Sequence, residues 1–310
     1  MRTYKDINDF GGCPYPVVTV GTFDGLHIGH QKIIGRMREM AREHGGETVL
    51  ITFDPHPRQV LNNNKGELRF ISTQKRKFEL LDHFGIDHMI VIPFTLEFSK
   101  TPSEVFVKDY IVDRIGAKKL IVGYDHHFGK NREGSYSQLR GLGEKHGFDV
   151  EEIAAQFVKD QAVSSTKIRK ALAEGNVTLA NRMLGYEYSI TGVVANGNKL
   201  GRTIGFKTAN IDVEDHFKLI AAGGVYACRV EIDGQLYNGM GNIGNRPTVG
   251  SDKVITEVHI FDFDRDIYGK EVTLFFIDRI RDERKFADLN ELKQQLLVDE
   301  QRVRELLKID

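Results

Sequence analysis

Gly21-Thr22-Phe23-Asp24-Gly25-Leu26-His27-Ile28-Gly29-His30 follows the apolar run Val17-Val18-Thr19-Val20. It leads into a helical pattern carried by Ile33, Ile34, Met37, Met40 and Ala41. Strand, glycine-bearing turn and helix start together form a setting in which unpaired backbone N–H groups and the positive end of a helix receive phosphate. With a helix starting near Leu26, His27 and His30 stand three residues apart on one face of its first turn, where both imidazoles can hold phosphate oxygens. Gly25 and Gly29 lack a Cβ, so a phosphate or a flat ring can approach the backbone. The same letters also read as a plain turn before a polar helix face. The strand before them and the helix after them favour a nucleotide site. Neither a G-x-x-x-x-G-K-[ST] nor a G-x-G-x-x-G pattern is present, so the turn is not of the P-loop or dinucleotide kind.

Working outward, short apolar runs alternate with helical patterns. Residues 48–53 form a β-rich run that ends at Asp54-Pro55-His56-Pro57, where two prolines stop the strand. A helix capped by Ser72 or Thr73 runs to Phe84 with Gly85 as its stop, and 88–93 is the next strand. Thr101-Pro102-Ser103-Glu104 has the form of a capping box and opens a helix to about residue 115. Residues 119–122 make another strand, followed by Gly123-Tyr124-Asp125-His126-His127-Phe128-Gly129; a helix then ends near Gly147, and 148–153 is strand-like. This alternation predicts a doubly wound α/β domain, whose ligands sit beyond the carboxyl ends of its strands. The polar stretches at 21–30, 53–57 and 123–129 all follow strands, so they are expected to converge on one site. Ser164-Ser165-Thr166-Lys167-Ile168-Arg169 opens a further helix, readable either as a capped surface helix or as a second phosphate-binding element.

From about residue 189 the helical period disappears. Strands at 190–195, 224–232, 235–243, 254–263 and 272–277, with the hairpin signal Asp233-Gly234, predict a small antiparallel barrel. An amphipathic helix from about Asp288, with Leu289, Leu292, Leu296, Val303 and Leu306 at helical spacing, closes the chain and packs on that barrel. The expected domains are therefore 1–184 and 185–310. The formal net charge of −1, with 28% charged and 40% hydrophobic residues, describes a globular chain with no footprint for nucleic acid or membrane. With no secretory signal and no apolar run of spanning length, the expected location is cytoplasmic. Cys13 and Cys228 lie far apart and outside metal-ligand spacing, so they read as ordinary thiols.

The first stretch resembles the H-x-G-H signature of the nucleotidyltransferase superfamily, and 164–169 resembles the S-S-T-x-I-R element of the same enzymes. In the second half, Gly201 to Asn210 (GRTIGFKTAN) reads on its own as a glycine-bearing barrel turn with Thr208 and Asn210 on one strand face. Together with Gly223-Gly224-Val225-Tyr226, Asn242-Ile243-Gly244-Asn245-Arg246-Pro247-Thr248, Glu257-Val258-His259-Ile260-Phe261-Asp262-Phe263 and Asp266-Ile267-Tyr268-Gly269, it resembles the riboflavin kinase domain. Nearly the whole chain is thus similar to the prokaryotic bifunctional riboflavin kinase and FMN adenylyltransferase family. The resemblance implies two reactions: phosphorylation of riboflavin by ATP to FMN in the second domain, and adenylylation of FMN by ATP to FAD and pyrophosphate in the first.

It also implies roles. His27, His30 and Arg169 act in adenylyl transfer, with Gly21, Phe23, Asp24, Gly25, Gly29, Asp125, Ser164, Ser165, Thr166 and Lys167 on the nucleotide. In the barrel, Gly201, Gly205, Lys207, Thr208 and Asn210 bind the other ATP, with Thr208 and Asn210 on Mg²⁺ and Glu257 as general base. Flavin contacts fall to Asp54, Pro55 and His56 in the first domain and to Asn245 and Arg246 in the second. Three positions depart from the family pattern: Lys207 replaces a proline before Thr-Ala-Asn, Ala222-Gly223 stands where a proline is common, and His126 stands where phenylalanine is. The alternatives left open are another H-x-G-H reaction, on pantetheine phosphate or nicotinamide mononucleotide, and a barrel that is a non-catalytic binding module. Glu257 read alone is a strand glutamate facing solvent.

Overall fold

The computed structural model describes residues 1–61, 68–124, 134–196, 204–248 and 251–309, with backbone alone at 245–248 and 251–253. It divides into two compact units, Met1–Ser164 and Ser165–Asp310.

In the first unit, β1 (Arg2–Tyr4), β2 (Val17–Val20), β3 (Thr48–Asp54), β4 (His88–Pro93), β5 (Lys119–Gly123) and β6 (Asp149–Ile153) form one sheet in the order β1-β4-β3-β2-β5-β6. Every pairing in it is parallel. β2 is buried along its whole length, as expected of a strand with helices on both faces. The chain winds outward from β2 through β3 to β4 and then returns to the other side as β5. The order therefore reverses between β2 and β5, which opens a crevice beyond their carboxyl ends. α1 (Ile28–His44) and α5 (Tyr136–His146) both end on left-handed glycines, Gly45 and Gly147. α2 (Pro57–Leu61) is a single short turn, and α3 (Gln74–His83) is capped by Thr73, whose hydroxyl accepts from Arg76 N–H.

Two local expectations change. The capping box at 101–104 is not formed: α4 (Ser103–Phe106) starts after Pro102, with no side-chain cap, and continues as a π-helix over Val107–Arg114. β1 and the hairpin β7 (Phe157–Val158) with β8 (Gln161–Ala162) are too short to carry a readable alternation.

The second unit opens with α6 (Ser165–Ala173) and α7 (Val177–Leu184). The expected boundary at 184/185 places both at the end of the first domain. Here they pack within the second unit, where Asn181 Nδ2 donates to Phe276 O (2.7 Å) and Thr178 Oγ1 to Asp278 Oδ1 (2.6 Å). The strands β9 (Ser189–Ala195), β10 (Ala209–Asp212), β11 (Gly224–Ile232), β12 (Gln235–Thr248), β13 (Ser251–Ile260) and β14 (Glu271–Arg281) close into an antiparallel barrel in the order β10-β13-β12-β11-β14-β9. Asp233 and Gly234 both take positive φ (51° and 76°) between paired Ile232 and Gln235, as a two-residue hairpin requires. Tyr188, Tyr226 and Phe276 are fully buried, with Tyr226 meeting Phe276 edge-on at 5.3 Å.

α8 (Leu289–Leu307) packs Val303 with Val225, Ala227 and Met240 of the barrel. The buried Asp299 carboxylate fastens it, accepting from Arg281 Nε at 2.8 Å and from Gln295 Nε2 at 2.7 Å.

Candidate functional site

The turn after β2 is built from backbone conformations that L-residues rarely adopt: Phe23 (φ 50°), Gly25 (78°) and Leu26 (31°). For residues other than glycine such positions cost about 1–3 kcal/mol each, and they gather where a loop must be aimed. Asp24, 4% exposed, holds the turn in place. Its carboxylate accepts from Ile71 N–H (3.0 Å) and Ser72 N–H (3.2 Å), while Gly25 N–H donates to Ser72 Oγ (3.0 Å). A Cβ on Gly25 would stand 2.9 Å from Ile71 Cγ2, so its glycine is required by this neighbour as well as by φ.

α1 begins at Ile28, two residues later than the sequence implied, which makes His27 its N-cap. His27 Nδ1 accepts from His30 N–H (3.4 Å), so the neutral ring carries its proton on Nε2. The two imidazoles stack at 3.7 Å and 15°, and Phe23 lies 4.6 Å from the His30 ring. Gly29 serves this stack: a Cβ there would be 3.1 Å from His27 Nδ1. Burial pushes His27 down to about 4; burial, then the neighbouring His27, pushes His30 well below its ordinary 6.5. Both rings are therefore neutral donors at pH 7. His30 Nδ1 is enclosed and has no hydrogen-bond partner among the described residues. A polar atom buried this way calls for a ligand atom.

Beside the turn is an open-mouthed space of about 410 Å³, lined by Thr22, Asp24, Asp54, His56, Phe70 and Lys77 among others. The structure thus brings together the 21–30 and 53–57 stretches, as their positions after β2 and β3 implied. In the third, Gly123 ends β5, while Asp125 lies outside the described residues. Pro55 follows a cis bond from Asp54, and the His56 ring lies 5.1 Å from Phe70. Phe70 and Lys77 are not singled out by the sequence, and Ser72 reads there only as a helix cap. They come from the segment before α3 and from α3 itself, and only the sheet order puts these beside β3. Ser164 stands just before α6; Thr166 and Lys167 are exposed on its first turn and Arg169 is half-buried.

In the barrel, register makes the assignment readable. Asn210 on β10 pairs with Glu257 on β13, and Glu257 pairs on its other side with Asn242 on β12. Directly opposed residues share a face, so two amides flank one carboxylate. Thr208 is exposed one residue before β10 and Gly205 takes φ 90°. Lys207 turns its ammonium onto Asp264 (2.5 Å), an exposed pair, and its carbonyl accepts from His259 Nδ1 (2.7 Å). Gly201 and the side chains of Asn245 and Arg246 lie outside the described residues; the backbone at 245 and 246 runs in β12. Glu283, also unremarked in the sequence, reaches the same rim: a Cβ on Gly244 would collide with its Oε1, and one on Gly223 would stand 3.0 Å from its Oε2.

A doubly wound domain with a stacked histidine pair at a helix N-terminus, and a closed six-stranded barrel with a Thr/Asn/Glu face, define a nucleotidyltransferase joined to a flavokinase-type domain. The family model described as FAD synthetase matches residues 14–167, and that described as riboflavin kinase matches 184–307. The chain belongs to the bifunctional riboflavin kinase/FMN adenylyltransferase family. It is 38% identical to the protein of that name from Listeria monocytogenes over 93% of this chain and 91% of the other. It is 34% identical to the one from Escherichia coli over 98% and 97%. A crystal structure from Streptococcus pneumoniae described as a macrolide-efflux protein superposes with a TM-score of 0.90 at 32% identity, covering 98% of both chains. Among the described residues no helix is long and apolar enough to cross a membrane.

Proposed function

We propose that this chain makes FAD from riboflavin in two ATP-dependent steps, with the doubly wound unit serving adenylyl transfer and the barrel unit the kinase step. The observation that carries the first assignment is the stacked His27–His30 pair at the head of α1, with an enclosed His30 nitrogen lacking a partner. In that step an oxygen of the FMN phosphate attacks the α-phosphorus of ATP, and the bond to pyrophosphate breaks. The nucleophile is already an anion, so no general base is needed; orientation and charge stabilisation supply the catalysis. His27 and His30 donate N–H groups to triphosphate oxygens, and the arriving negative charge raises both pKa values toward protonation.

In the kinase step a ribityl hydroxyl of riboflavin attacks the γ-phosphorus of ATP and ADP leaves. A hydroxyl is too weak an acid to ionise at neutral pH, and Glu257 accepts its proton. The hydroxyl of Thr208, the amide oxygen of Asn210 and the nearby carboxylate are hard oxygen donors, a set that fits Mg²⁺. Thr208 and Asn210 would hold the ion, whose chemistry there is to neutralise the ATP phosphates. A cytoplasmic location agrees with the demand for ATP. The test is separation by variant. His30→Ala should accumulate FMN from riboflavin, whereas Glu257→Gln should lose riboflavin phosphorylation by about a hundredfold to ten-thousandfold and still adenylylate supplied FMN. A His30→Ala enzyme that stops at riboflavin, or a Glu257→Gln enzyme within a few-fold of wild type in phosphorylation, would overturn the assignment.

A further inference from the structure

The adenylyltransferase domain has two flanks around the turn after β2, and they differ in chemistry. On one side the order reversal between β2 and β5 opens the crevice in which such sheets hold a nucleotide, with the α1 N-terminus and His27–His30 beside it. On the other side, above β3, is the pocket that contains Lys77.

Among the described residues lining it, this second flank has one lysine and no arginine, the lysine set between two carboxylates and two phenylalanines. Lys77 is on the first turn of α3, half-buried, and its ammonium donates to Thr52 Oγ1 at 3.3 Å. An ammonium has three N–H groups, so this long bond leaves donor capacity facing the pocket. Asp24 and Asp54 act on it electrostatically. Asp24 is already tied to backbone N–H groups of 71 and 72, so the lysine is not needed to satisfy that carboxylate. Without a cation the two aspartates would repel any anion entering here.

We propose that Lys77 seats the phosphomonoester of the acceptor, FMN, on the β3 flank, with Phe70 and Phe53 forming an aromatic wall for its ring system. The inference rests on the adenylyltransferase reading above and extends it to the second substrate. The anionic acceptor would then approach the turn from the β3 side while ATP occupies the β2/β5 side, so nucleophile and α-phosphorus meet at Thr22 and Asp24. Burial also lowers the lysine's pKa from 10.5, with the two aspartates opposing the shift. Its proton is therefore more readily lost in the free enzyme than that of a solvated lysine.

The experiment is steady-state adenylylation of supplied FMN by the full chain, as wild type, Lys77→Met and Lys77→Arg, with riboflavin phosphorylation measured on the same preparations. Lys77→Met should raise KM for FMN about tenfold to a hundredfold, the loss expected of one charge-assisted contact. KM for ATP and the kinase rate should stay within about twofold. Lys77→Arg should recover most of the loss. The wild-type kcat/KM for FMN should fall at alkaline pH as Lys77 deprotonates, and the arginine variant should move that limb to higher pH, which a merely structural lysine would not do. An unchanged KM for FMN in Lys77→Met, or a rise in KM for ATP instead, would overturn the proposal. Equal loss of both activities, with no rescue by arginine, would equally overturn it in favour of a structural role. Wild-type enzyme that makes no FAD from FMN would instead refute the adenylyltransferase reading.

Discussion

Lowering the pH from 7 to 5 should destabilise the nucleotide end of the N-terminal unit, and ATP should oppose the loss. His27 is 7% exposed and its pKa is pushed from 6.5 down to about 4, chiefly by burial. The folded value lies below the unfolded one, so the unfolded chain takes up the proton first. The stabilisation is full above about pH 6.5 and is lost as the pH falls toward 4. With these two values the linkage relation gives a loss of about 2 kcal/mol between pH 7 and pH 5 from His27 alone. His30 shifts in the same direction and adds to it. The assay is hydrogen exchange of the β2 and α1 amides, corrected for the intrinsic effect of pH, which reads the opening free energy of this unit alone. Wild type should lose about 2 kcal/mol more than His27→Gln over that interval, because carboxylates elsewhere titrate in both proteins. Saturating ATP should shrink the difference, since triphosphate favours the protonated rings. Identical pH dependence in the two proteins would refute the burial argument and, with it, the picture of neutral histidines waiting for phosphate.

Two other perturbations bear on the loops. Gly25→Ala combines a left-handed conformation with a 2.9 Å approach to Ile71, and should cost about 2–5 kcal/mol. The expected outcome is loss of FMN adenylylation with riboflavin phosphorylation retained, and wild-type exchange rates in β2 would contradict it. Lys207→Ala removes only an exposed pair with Asp264, of a kind that contributes ~0–1 kcal/mol, so KM for ATP in the kinase step should move by no more than about twofold. A tenfold rise would put the lysine on the ATP phosphates after all.

The features legible in the sequence were those whose chemistry is local. A buried strand, a glycine turn and a helix start are announced within ten residues, with histidines three apart marking a candidate phosphate site, and Asp233-Gly234 announces its hairpin in two. Gly85 and Gly147 stop or follow helices where the pattern said they should, and both take left-handed φ. The start of α1 was misplaced because His27 reads equally well as a first-turn residue or as a cap, and only its bond to His30 N–H decides between them. Gly29 reads in sequence as a point of ligand approach, and its missing Cβ also makes room for the His27 ring. Lys77 and Glu283 were invisible for another reason. Each sits on a charged stretch that reads as a solvated face until sheet order or barrel closure brings a distant loop against it. The pairing of Asn210 with Glu257 likewise depends on register across the barrel, which no local pattern carries.

One chain carrying both steps should convert riboflavin through FMN to FAD by itself. The measurement is to incubate it with riboflavin, ATP and Mg²⁺ and separate the flavins over time. FMN should appear first and FAD follow at its expense, with ADP and pyrophosphate as the respective co-products. Riboflavin left unconverted while supplied FMN becomes FAD would contradict the kinase half. FMN that accumulates without any FAD would contradict the adenylyltransferase half.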